Sequence, residues 1–284
     1  MNKLMNIFYV SFFALVCSIP FGANAKTDLS KKTFINTSFE NSVDKLPLNY
    51  RGHNIKLIYN KISEIDASRI KGDFETSEEH QKRLDKIKGP YILYGKVMAN
   101  SLLAFKADNE NRISIQYEAD DGVARIHLHW IRPLNGLMNP SRRGDLKILV
   151  DSKYKYKEYV ATNSYGSLVD AEKKTGEDWG LLVSPSVFSE FKSGKYGFGF
   201  EFPVDMEINA AKRLNKKIKE DSVSCLIIGN LQTTPSILKD SEFKSGTYDD
   251  PISINIDQYM VDFDIKEIWV FDKKSGEIFV KLRI

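Results

Sequence analysis

Apolar and polar positions along the chain follow a helical period in two places and a strand period nearly everywhere else. From Gly72 onward, Thr76 and Glu79 have capping-box spacing, Glu78/Lys82 and Glu79/Arg83 place an acid four residues before a base, and His80, Leu84 and Ile87 share one face. Gly89-Pro90 stops such a pattern, so a helix is predicted over about 74–88. A second is predicted over about 205–219, capped by Asp205, with Ile208, Ala211, Leu214 and Ile218 inward. Lys216, Lys217 and Lys219 complement the dipole of its last turn.

The run 91–131 alternates and breaks at Asp108-Asn109-Glu110-Asn111 and at Asp121-Gly122, which predicts a three-strand meander. With Asp121-Gly122 as a two-residue primed turn, Tyr117 faces Ile126, Ile115 faces Leu128 and Ile113 faces Trp130 on an apolar face. Glu118 then faces Arg125, Gln116 faces His127 and Ser114 faces His129 on a polar one. Further strands are expected at 146–150, 154–162, 223–228, 252–256, 259–263, 267–271 and 277–282, the last two joined by Lys273-Lys274-Ser275-Gly276. The polar stretch after 162, to about 195, is expected to be irregular. Two helices among many strands, without regular βαβ alternation, predict a mainly β α+β fold with antiparallel, sandwich-like sheets.

The start of the chain carries Lys3, an apolar run over 7–19, a break at Pro20 and Gly22, and Ala23-Asn24-Ala25, the pattern of a secretory signal peptide cut after Ala25. Residues 26–50 are polar and aperiodic and read as a lead-in to a single β-rich domain over 51–284. The apolar run is shorter than a bilayer span, and no later one is long enough, so no transmembrane segment is expected after cleavage. Cleavage removes Lys3 and leaves 40 basic against 38 acidic residues, a balance that argues against nucleic acid as a partner. It also removes Cys17, so Cys225 has no intramolecular disulfide partner, and its apolar surroundings make it a buried strand residue.

Two stretches carry a resemblance. Gly72-Asp73-Phe74-Glu75-Thr76-Ser77-Glu78-Glu79 running on to Arg83-Leu84, and Asp249-Asp250-Pro251-Ile252 followed by Ile268-Trp269-Val270-Phe271 and Ser275-Gly276-Glu277, resemble segments of uncharacterised secreted proteins of Gram-negative bacteria. The resemblance covers about a seventh of the chain. It implies a periplasmic location and brings no catalytic residues with it.

Four groups of residues are candidates for chemistry. His127 and His129, two apart on a strand, point to one face and could offer two imidazoles to zinc or copper, with His53 or a loop carboxylate as a third ligand. Tyr196, Phe198, Phe200 and Phe202 alternate with Gly197, Gly199 and Glu201, forming an aromatic face suited to a core wall or to stacking sugar rings. Lys153, Lys155 and Lys157 form a row that either guards a strand edge or meets an acidic partner. Asp249-Asp250 before Pro251, and Asp262 with Asp264, are turn formers or paired acids. Ser184, Ser186 and Ser189 lack a nucleophile-elbow glycine pattern. The expectation is therefore a non-catalytic periplasmic protein that binds an envelope protein, glycan or small ligand through a sheet face. The alternative is a metal-binding protein or metal-dependent hydrolase centred on His127 and His129.

Overall fold

The computed structural model describes residues 34–87, 91–107, 113–129, 131–133, 144–162, 166–188, 200–247 and 250–284. Three helices, α1 (Ile55–Arg69), α2 (Ser77–Ile87) and α3 (Ile208–Lys219), accompany thirteen strands among these residues. In chain order the strands are β1 (Ile92–Tyr94), β2 (Val97–Met98), β3 (Leu103–Lys106), β4 (Ile113–Glu118), β5 (Val123–Leu128), β6 (Ile131–Pro133) and β7 (Leu146–Thr162). They continue with β8 (Leu168–Val183), β9 (Phe200–Asp205), β10 (Val223–Leu231), β11 (Ile237–Lys244), β12 (Ile252–Asp272) and β13 (Ile278–Arg283). The fold is α+β and mainly β.

One strand organises the large sheet. The first half of β12 lies between β11, antiparallel, and β8, parallel, while its second half lies between β10 and β13, both antiparallel. β3 extends one end beyond β10, and β7 then β6 extend the other beyond β8. The change of neighbours falls at a bulge. Ile228 of β10 pairs with Glu267 and Gly229 with Ile265, leaving Lys266 as the extra residue. Before it, Val261, Phe263 and Ile265 face the main core; after it, Ile268 and Val270 do. Trp269 and Phe271 then turn to a second cluster on the other face.

The main core gathers that face of the large sheet, α1, α3 and a small antiparallel sheet of order β4–β5–β9. The α1 stripe Ile55, Ile58, Tyr59, Ile62 and Ile65 is buried at helical spacing. Ala124, Ile126, Leu128 and Phe202 bring in the small sheet, and Ala211 and Leu214 bring in α3. Residues 34–50 cover the opposite face of the large sheet: Phe39, Leu46 and Tyr50 pack with Trp269 and Phe271. His53 clamps this segment in place. It accepts from the Ala104 amide at Nδ1 (2.9 Å) and donates from Nε2 to the Thr37 carbonyl (2.9 Å). Gly52 lets the chain approach so closely: its φ is +74°, and a Cβ would stand 2.2 Å from the Ala104 carbonyl oxygen.

Several expectations need correcting. The helix α1 was not expected at all. The 91–131 run is not a meander, because β1 and β2 form their own hairpin and β3 pairs with β10. The stretch after 162 holds a sixteen-residue strand, β8, and β8 with β12 makes the large sheet mixed rather than antiparallel. The pairs expected at 146–150/154–162 and at 252–271 are single long strands. β4 and β5 are joined by four residues, so Glu118 pairs with Val123, Ile115 with Ile126 and Ile113 with Leu128. That register is two residues from the expected one, which leaves every side chain on its expected face. α3 starts after Glu207 without a side-chain cap; Asp205 ends β9 instead, and Ile208 is exposed. The segment 1–25, Gly89-Pro90 and Trp130 lie outside the described residues.

Candidate functional site

Beyond the core, β7, β8, β12 and β11 run on as a four-stranded extension. Among the described residues β6 pairs only with residues 146–148 of β7, so the rest of β7 is an edge there, and β11 is the other edge. Register places Lys157 opposite Lys173, Lys173 beside Ser253, and Asn255 opposite Phe243, all on one face. Nearer the core this same face carries Trp179 and Tyr259, stacked at 4.2 Å between ring centroids and capped edge-on by Tyr59 of α1. Where α1 ends its cover, the face opens into a trough of about 610 Å³.

Tyr159 of β7 and Phe243 of β11 bound the trough from strands three places apart in the sheet, offset by four residues along the strands. They are 40% and 74% exposed, unusual for aromatic rings. Lys157, Lys173, Ser253 and Asn255 lie between them, with Lys155 one place further along β7. The acids of β7 and β8 in this region, Glu158, Asp170 and Glu172, alternate to the opposite face. Among the described residues, none of Lys155, Lys157 and Lys173 forms an ion pair, whereas Lys153 stands opposite Glu177. Among the described residues the lysine row thus sits on an edge strand, as edge protection requires, and its Lys157 also lines one side of a concave surface flanked by aromatics.

The other candidates have different surroundings. His127 of β5 and His129, just beyond its end, lie with their rings parallel at 6.1 Å. Glu201 of β9 pairs in register with His127, its carboxylate 3.6 Å from Nδ1, and Ser114 hydrogen-bonds His129 Nε2 at 3.1 Å. Arg125 ties Glu201 to Glu118. Among the described residues no cluster of three or more His, Cys, Asp or Glu side chains is placed to hold a metal ion. His53, expected as a third ligand, is fully buried elsewhere with both ring nitrogens engaged.

Of the aromatic run, Tyr196 and Phe198 lie outside the described residues. Phe202 is 1% exposed in the main core and Phe200 packs against it, so these two rings are core wall. Cys225 is buried on β10. Asp262 accepts from Ser236 and Asp264 from Lys266, while Asp250 pairs with Lys244; Asp249 lies outside the described residues. Ser184 and Ser186 hydrogen-bond each other in an exposed turn, and Ser189 is outside the described residues.

Lys173, Phe243 and Ser253 were missed in sequence because only the order of the strands brings them beside Lys157. No family model matches the chain, and neither a curated protein nor a solved structure is similar to it at a significant level.

Proposed function

We propose that this is an exported, non-catalytic periplasmic binding protein that holds an acidic glycan of the cell envelope in the trough of its sheet extension. The observation that carries this reading is the pair Lys157 and Lys173, without an ion pair among the described residues and lying between the exposed rings of Tyr159 and Phe243, with Lys155 next along β7. An acidic sugar polymer offers flat ring faces and carboxylates on one chain, which suit aromatic stacking and ammonium groups respectively. A trough open along its length admits a polymer, whereas an enclosed pocket would admit only its end. Export is supported by Lys3, the apolar run over 7–19 and Ala23-Asn24-Ala25. The resemblance to secreted proteins of Gram-negative bacteria supports the periplasm.

The test measures binding of residues 26–284 to polygalacturonate beside neutral dextran and phosphatidylglycerol vesicles. Polygalacturonate is expected to bind, and the Lys157→Gln/Lys173→Gln double variant and Phe243→Ala are each expected to weaken it about tenfold. Equal binding of dextran would remove the acidic component, and binding of vesicles alone would replace the glycan with a lipid surface. Failure of all three would refute the reading. Thermal stabilisation by zinc or copper that disappears in His127→Ala/His129→Ala would favour the metal alternative instead.

A further inference from the structure

The sheet extension carries opposite charges on its two faces, and strand register sets them back to back. Lys157 of β7 stands directly opposite Lys173 of β8 on the trough face, and Glu158 stands directly opposite Glu172 on the other. Because β7 and β8 run antiparallel, the step from 157 to 158 and the step from 173 to 172 point the same way along the sheet. The acid pair therefore lies behind the lysine pair, displaced by one residue. Asp170 adds a third carboxylate two places beyond Glu172, and Lys155 adds a third ammonium two places before Lys157.

Within one chain neither pair is favourable, since like charges directly opposite each other on neighbouring strands repel. Among the described residues none of Lys157, Lys173, Glu158, Asp170 and Glu172 forms an ion pair. Lys174 shares the acid face, but its ammonium lies over the ring of Tyr154, 3.7 Å from the centroid, and Lys244 is held by Asp250. Nearer the core the trough face carries Glu177 opposite Lys153, and Asp257 accepting from Ser241. Each like-charged pair thus lacks the counter-charge that the other offers, and the sheet between them keeps the two apart in one molecule.

Exposed apolar surface gathers in the same place. Of the twelve large apolar side chains that stand exposed among the described residues, six belong to the extension. Tyr159 and Phe243 are on the trough face, and Tyr156, Val160, Leu168 and Ile252 are on the acid face. Ile252 stands directly opposite Glu172 and Val160 directly opposite Asp170, so apolar and charged groups are interleaved there as they are around the lysines. Apolar groups clustered on a surface mark a place that another molecule covers.

We infer that the acid face of one copy of this chain docks in the basic trough of a second copy, Glu158 and Glu172 meeting Lys157 and Lys173, with the apolar side chains of the two faces closing around them. Stacked sheets lie about 10 Å apart, a separation that lysine and glutamate side chains span together. A pair of like charges reads the same from either end. The second copy therefore still matches when turned end for end about the sheet normal, which carries its core away from the first. The inference shares its lysines with the glycan reading but does not rest on it; an acidic glycan and an acidic sheet face exclude each other from the trough.

Sedimentation velocity of residues 26–284 without glycan tests it, from about 1 to 300 μM protein in about 20 mM and 500 mM sodium chloride, since salt screens exposed charges. The average mass is expected to rise with concentration to twice the monomer mass or more in low salt, and to stay monomeric in high salt. Lys157→Glu/Lys173→Glu and Glu158→Lys/Glu172→Lys are each expected to abolish association alone, and an equal mixture of the two to restore it, because their faces are then complementary. Restoration on mixing also shows that both variants are folded, and circular dichroism checks each one. The inference is overturned if the unaltered chain stays monomeric at the highest concentration in low salt, if association ignores salt, if either variant associates undiminished, or if the folded variants fail to associate when mixed. Polygalacturonate binding is read separately: association without it removes the glycan alone, and glycan binding by a chain that stays monomeric removes the second copy alone.

Discussion

His53 couples folding to acidity through geometry visible at a single side chain. Burial lowers its pKa from 6.5, against the opposing effect of its hydrogen bonds to Thr37 and Ala104. Protonation would also set a new N–H against the Ala104 amide that Nδ1 now accepts. The unfolded chain takes up this proton near pH 6.5, whereas the folded chain resists it until a lower pH. Stability is therefore complete above about pH 6.5 and declines as the pH falls toward the folded pKa. We expect the melting temperature to drop between pH 7.5 and 5, with a shallower drop in His53→Gln, measured by thermal denaturation across that range. An equally steep drop in the variant would assign the effect to other groups. Sequence alone offered His53 as a metal ligand because nothing local announces that Thr37 and Ala104, 16 and 51 residues away, will occupy its nitrogens.

At the scale of elements, α2 can be altered with little effect elsewhere. The Thr76 hydroxyl accepts from the Glu79 amide at 3.2 Å, and the Glu79 carboxylate accepts from the Thr76 amide at 2.9 Å, as the capping-box spacing predicts. Thr76→Ala is expected to destabilise this helix end by about 1 kcal/mol. Because none of the helix's described side chains is fully buried, faster amide exchange in residues 77–81 should be the main result, with little change in global melting. A large fall in melting temperature would mean that α2 supports the core. The capping box was legible because its two residues are three apart. The stripe of α1, Ile55, Ile58, Tyr59, Ile62 and Ile65, has the spacing of an amphipathic helix, yet no helix was expected there. The breaks expected after 150 and between 263 and 267 fall near the bulges at Val150 and Lys266, since a bulge and a strand end interrupt the alternation alike, whereas the break expected between 256 and 259 has no bulge behind it.

Over the whole molecule, burial falls steeply from core to extension. Residues 223–231 are nearly all buried, whereas most of 153–162 are exposed. Amide exchange should therefore occur at lower free energy in 154–162 and 168–175 than in 223–231 and 263–271, measured by mass spectrometry on the intact protein. Uniform protection would mean that another molecule covers the extension. The candidate site was only partly legible for a related reason. The lysine row and its alternation lie within one strand, but its neighbours come from β8, β11 and β12, and strand order is a long-range property.

β12 also determines when the chain can close. The parallel partners Glu172 and Ile252 are 80 residues apart, and Lys45 bridges to Glu277, joining early and late segments. Neither half of the large sheet has its central strand until residues 252–272 are present. A chain delivered N-terminus first could thus form the β4–β5–β9 sheet, the β7–β8 hairpin and the helices during its passage, with the large sheet closing only as its final segment arrives. Such late closure slows folding, because distant ends must meet before their contacts stabilise either. For a chain that crosses a membrane through a narrow channel, the same delay would keep it threadable until nearly all of it had passed.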